Sequence, residues 1–157
     1  MSDPGAHVAA RYSVVRSARW KDVARVHLAK QPQCVACRHP GAPVCVHHIF
    51  PFHFCVVLGR PDLELDERNL VTLCGESDVH GAGDHHLLLG HFDDYESMNL
   101  RVRRDAEHEL HGMTATQLKA NAKWIALARS RRPHLGAMDA QMREEFRALM
   151  DETFPQR

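Results

Sequence analysis

Cysteine and histidine, more than apolar patterning, limit what this chain can fold into. Cys34 and Cys37 form a C-x2-C pair, and Cys74 ends a β-branched stretch. Eight of the thirteen histidines fall between His39 and His91. A C-x2-C knuckle with a third thiolate supplies three ligands of a tetrahedral zinc and asks for a fourth. His85 and His80 both lie near enough in sequence to provide it. Three unconnected buried thiols would behave only as small apolar side chains. A chain of 157 residues with 6% aromatics, however, has a modest core and gains from a metal staple. In the reducing, cytoplasmic setting expected here, the C-x2-C pair reads as a metal site before a disulfide. Cys45 and Cys55 have no such spacing and are expected to be packing residues.

The length suits one domain with an appendage. We expect an α+β, mostly helical fold. Residues 1–12 read as a flexible N-terminal arm, 13–112 as the main domain and 113–157 as a C-terminal helical extension. Trp20, Val23, Ala24 and Leu28 recur at helical spacing, predicting a helix from about Ser13 to Lys30 that stops before Pro32. Val44, Val46 and Ile49 mark a short strand, and Asn69–Cys74 a second. Phe50–Glu67, broken by Pro51, Gly59 and Pro61, reads as a connection. A short helix is expected over His85–Phe92 with Asp84 as its cap, and another across Arg101–His111. Thr114 and Gln117 have the capping-box form before a helix running to Arg129. Asp139 is placed to cap a last helix.

Formal net charge is zero, which weighs mildly against a polyanion partner. The distribution tells more than the sum. Residues 1–30 carry six basic side chains against two acids, and residues 113–138 carry five and none. Arg16, Arg19 and Arg25 on the first long helix are candidates for phosphate contacts, as are Arg101, Arg103 and Arg104. A solvated helix face is the plainer reading of each. Trp20 is expected in the core. No apolar run is long enough to suggest a membrane segment.

His47 and His48 are adjacent on the first strand, and an isolated pair of this kind would most simply be surface histidines. Here His85, His86 and His91 follow downstream of Asn69. His86 and His91 are five apart, less tidy than the four-residue spacing that stacks side chains on an α-helix. Gly90 between them can break the helix and let His91 turn inward. His47, His86 and His91 would then form an open three-ligand metal site, with His48 free for proton transfer near neutral pH.

In order, the chain shows Cys34-x-x-Cys37, Val46-His-His-Ile-Phe-Pro51, Leu63-Glu-Leu-Asp66, Asn69-Leu-Val-Thr-Leu-Cys74 and His85-His86-Leu-Leu-Leu-Gly-His91. This series resembles the HNH endonuclease family over about residues 16–105. The resemblance implies a ββα-metal core of two short antiparallel strands and a helix. It implies that His47 and His86 bind a catalytic divalent ion (zinc, manganese, nickel or magnesium), with His91 as a third ligand. His48 then stands at the general base and Asn69 at the residue that orients that base or its loop. Cys34, Cys37 and Cys74 match the structural zinc cysteines. The position of the fourth zinc cysteine is held by His85, which makes a Cys3His site with His85 favoured and His80 as the rival. The activity implied is metal-dependent hydrolysis of phosphodiester bonds in double-stranded DNA. The alternative is a zinc-stapled nucleic-acid-binding module without catalysis.

Overall fold

The computed structural model describes residues 6–75, 84–131 and 133–157. His80, the rival zinc ligand, lies outside them. Helix α1 (Ala6–Arg11) is followed by α2 (Trp20–Lys30), strand β1 (Val44–His48) and α3 (Phe52–Val57). Strand β2 (Leu70–Cys74) precedes a π-helical turn at His86–Gly90. Next come α4 (Val102–Arg104), a second π turn at Asp105–Glu109, α5 (Ala115–Ala120), α6 (Ala122–Arg129) and α7 (Ala140–Thr153). The class is α+β, mostly helical. Among the described residues no helix is long and apolar enough to cross a membrane.

The two strands pair antiparallel, Val44 opposite Cys74 and His48 opposite Leu70. Every residue of β2 is buried, so the hairpin is the spine on which helices pack from both sides. Asn69 closes the connection between the strands. Its Oδ1 accepts from the Phe50 amide at 2.8 Å, and its Nδ2 donates to the carbonyls of Phe50 and Leu63 at 3.1 and 3.0 Å. One fully buried amide thus satisfies three backbone groups of a 21-residue connection that a strand ladder cannot reach.

Several local expectations change. The 1–12 arm contains α1. The helix expected from Ser13 begins only at Trp20, because upstream backbone groups find partners elsewhere. The Ser17 amide donates to both Glu64 carboxylate oxygens at 3.1 and 3.2 Å, and Ser13 has φ +54°. The connection 50–67 is not plain loop, since Pro51 leads into α3. The helix expected over 115–129 is two. Asn121 is extended (φ −81°, ψ 122°), and its side chain caps Lys123 and Trp124 instead of letting the helix run on. The Thr114–Gln117 capping box is formed, and Asp139 Oδ1 accepts from the Met142 amide.

Two ties join the C-terminal helices to the spine. The Trp124 indole donates to the Leu88 carbonyl, in the first π turn, at 2.8 Å. Phe146 of α7 and Phe154 beyond it pack edge-on against Phe50, with ring centroids 5.7 Å away in each case. Arg60 is completely buried beside them. Its guanidinium donates to Asp62, to Asp151 Oδ1 at 2.6 Å and to the Phe154 carbonyl at 2.9 Å.

Candidate metal centres and their surroundings

Cys34, Cys37, Cys74 and His85 converge, with one ligand atom from each lying within 4.8 Å of all the others. Backbone bonds explain why. The Arg38 amide closes the knuckle onto the Cys34 carbonyl at 2.8 Å, and the Val35 amide fastens it to the Thr72 carbonyl of β2 at 3.0 Å. Cys34 therefore sits beside Cys74, the last residue of that strand. His85 Nδ1 lies 3.0 Å from Cys74 Sγ and 3.6 Å from Cys34 Sγ. Its Nε2 donates to the Met113 carbonyl at 2.7 Å, which aims Nδ1 at the sulfurs. Zinc bonds of about 2.3 Å to sulfur and 2.1 Å to nitrogen put ligand atoms roughly 3.5–4 Å apart, close to what is seen. This Cys3His cluster can bind a metal ion such as zinc.

The electrostatics fit the same use. A hydrogen bond from Cys74 holds the Cys34 thiol down at about 3, while Cys74 itself is pushed up by that bond and by burial. Burial would lower His85, but its bonds to Cys34 and the Met113 carbonyl outweigh that and raise it. Without an ion the group stabilises one thiolate among three thiols. A divalent cation would stabilise all three.

A second group forms from His47, His86 and His91, whose ligand nitrogens also lie within 4.8 Å of one another. Ring centroids are 5.2 Å apart for His47–His86, 4.8 Å for His47–His91 and 5.0 Å for His86–His91. The π turn accounts for the five-residue spacing. It is wider than an α turn, so residue 91 returns closer to the side of residue 86 than it would on an α-helix. Gly90 is required by contact: a Cβ there would stand 2.7 Å from His47 Cε1. His91 Nδ1 donates to the Ser97 carbonyl at 2.7 Å and leaves Nε2 as the ligand atom. His47 Nε2 is buried and has no hydrogen-bond partner among the described residues, the condition an ion would relieve. Burial, then the charge of His86, holds His91 at about 3, and burial likewise lowers His47, so both are neutral ligands at neutral pH.

His48 points away from this triangle, as alternation along β1 requires. Its Nε2 donates to the Glu64 carbonyl at 2.9 Å, and Nδ1 makes no hydrogen bond among the described residues. Burial holds it at about 3, with Arg16 adding to the effect. Trp20 is half-buried, with its ring centroid 4.5 Å from that of His48, so it covers this histidine as well as packing. Among the described residues the Asn69 side chain makes no hydrogen bond to His48. It fixes Phe50 and Leu63, the segments on either side of the site.

The three arginines of the first long helix are not brought together. Arg16 lies before α2, its guanidinium 4.6 Å from the Trp20 ring and 4.4 Å from the Phe52 ring. Arg25 is exposed and paired with Asp22 at 3.4 Å. Arg19 is exposed, at the rim of a cavity of about 290 Å3 shared with Asp22 and Glu67. Sequence reasoning missed Tyr95, whose ring lies 5.7 Å from His86 and 5.3 Å from His91. It also missed Glu64, whose carbonyl holds His48 while its carboxylate holds Ser17.

Family models, curated proteins and solved structures were all compared with this chain, and none matches it.

Proposed function

We propose that the chain is a metal-dependent endonuclease that hydrolyses phosphodiester bonds of DNA, with β1, β2 and the segment from His85 forming a ββα-metal core. The carrying observation is the pair His47–His48. One imidazole points into a cluster of three neutral histidine nitrogens. The next is held through Nε2 and keeps a free lone pair on Nδ1. A ligand and a base on adjacent residues is what hydrolysis at a metal-bound phosphate requires.

A divalent ion on His47, His86 and His91 would supply charge neutralisation for the phosphate. Imidazole donors suit zinc or nickel better than manganese or magnesium. His48 takes the proton of the attacking water at Nδ1 while its Nε2–H stays on the Glu64 carbonyl, which fixes the tautomer. Asn69 keeps the Glu64 side of the loop in place through Leu63. Substrate must displace or slide past the Trp20 indole to reach Nδ1. The Cys3His cluster fixes the Cys74 end of β2 and the start of the His86 turn.

Supercoiled plasmid incubated with the protein and manganese should be nicked or linearised, and EDTA should abolish this. His48→Ala should lose at least about 100-fold in rate, within the usual range for a positioned base, while keeping its metal content. DNA binding without cleavage under any of the four metals would replace this reading with the non-catalytic module.

A further inference from the structure

His53 is the second residue of α3, five positions after His48. It is 94% buried, from an exposure of 6%. Its Nε2 is enclosed and has no partner, and Nδ1 makes no hydrogen bond among the described residues. Leaving an imidazole this dry and unpaired is unfavourable, and packing alone would favour a phenyl ring. The ring is held tightly nonetheless. Tyr12 stacks on it at 5.3 Å with planes 12° apart, and Phe54 lies 4.9 Å away. Tyr12 is anchored in turn, its hydroxyl accepting from the Gly136 amide at 3.0 Å.

The charged surroundings of His53 are cationic or cation-binding. Its resolved electrostatic neighbours are His91, a ligand of the three-histidine group, and Arg16. The Arg16 guanidinium packs on Phe52, the residue just before His53. The nearby carboxylate is Glu64, 3.8 Å from Arg16, and it is engaged by the Ser17 amide. A rigid N–H donor that interacts electrostatically with Arg16 and His91, and that has no acceptor among the described residues, suits an anion.

We propose that His53 is a further catalytic residue: as a neutral imidazole it donates a hydrogen bond to a non-bridging oxygen of the scissile phosphodiester, beside Arg16. This rests on the nuclease reading for the identity of the anion, not for the existence of the site. A neutral donor suits the role because it needs no proton to be taken up before substrate binds. No bond is made or broken at His53. It stabilises charge that grows on the phosphate oxygen as water adds.

The test compares His53→Phe with His53→Gln. Phenylalanine keeps the stack on Tyr12 and removes the donor, whereas glutamine restores an N–H. His53→Phe should fold at least as stably as wild type in urea, yet lose about 100-fold in kcat, and His53→Gln should recover most of that loss. Equal cleavage by wild type and His53→Phe would overturn the role and leave the nuclease reading standing. Inorganic phosphate added to manganese-free, zinc-containing protein supplies a second readout. Saturable movement of the His53 ring 15N signals, weakened in Arg16→Gln, is expected even if no DNA is cut. Unmoved His53 signals would overturn the anion site itself.

Discussion

His85 and His86 are consecutive residues whose side chains serve different clusters: His85 Nδ1 is 3.0 Å from Cys74 Sγ, and the His86 ring is 5.2 Å from that of His47. One peptide bond therefore joins the two candidate metal centres. Wild-type protein should bind two ions per chain when manganese or zinc is supplied. His86→Ala should retain one. Cys37→Ser should lose the Cys3His ion and, through His85, weaken the other. Elemental analysis after gel filtration measures both, and full two-ion occupancy in Cys37→Ser would break the link.

Gly90 offers a way to damage the three-histidine group without touching a ligand. In Gly90→Ala the new methyl would stand 2.7 Å from His47 Cε1. His47 must shift, at a cost of about 1–3 kcal/mol for overpacking. The Cys3His ion should stay, while affinity at the other centre should fall at least tenfold in a competition titration. Unchanged affinity would mean that the turn can open without moving the histidines.

Asn69→Ala removes an amide bonded to three backbone groups in a site with no exposure. Unsatisfied buried partners and lost bonds together predict about 2–4 kcal/mol of destabilisation. Urea unfolding in the presence of zinc measures it. A change below 1 kcal/mol, on the order of an exposed substitution, would show that the loop is held by other means.

Acid should weaken the fold earlier than carboxylate titration alone would. Burial holds His48, His53 and His91 at about 3, 4 and 3, against 6.5 for an unstrained imidazole. The unfolded chain thus takes up protons first as pH falls. Their contribution is complete above pH 6.5 and is lost progressively from there towards about 3, at up to about 1.4 kcal/mol per pH unit for each group. Urea midpoints at pH 7, 6, 5 and 4, taken with EDTA present, should drop steeply below 6.5. The slope should lessen in His53→Phe. A flat profile from 7 to 5 would contradict the burial of these rings.

Much of both centres was legible in the chain because ligand spacing survives without knowledge of the fold. Cys34, Cys37 and Cys74 announce themselves by interval, whereas Asn69 was marked only by the family resemblance. His91 was harder, since five-residue spacing fits no α-helix, and only the π turn brings it round. Glu64 was invisible for a different reason: it acts through its carbonyl, which every residue possesses. Trp20 fitted a core position by period, yet the helix starts at that very residue and turns its ring onto His48. Arg60 carried no signal in the sequence, because two of its acceptors come from residues far along the chain.

That last separation bears on how the molecule is made. Asp62 is beside Arg60 from the outset, but Asp151 and the Phe154 carbonyl lie 91 and 94 residues later. Until they arrive the guanidinium has no reason to leave water, and Phe50 lacks both aromatic neighbours from the C-terminal segment. During synthesis the hairpin and its cysteine knuckle can assemble early, whereas the pocket that swallows Arg60 must wait for Asp151 and Phe154. Closure of this pocket depends on α7, so a ribosome-stalled product ending before α7 should remain protease-sensitive between α3 and β2.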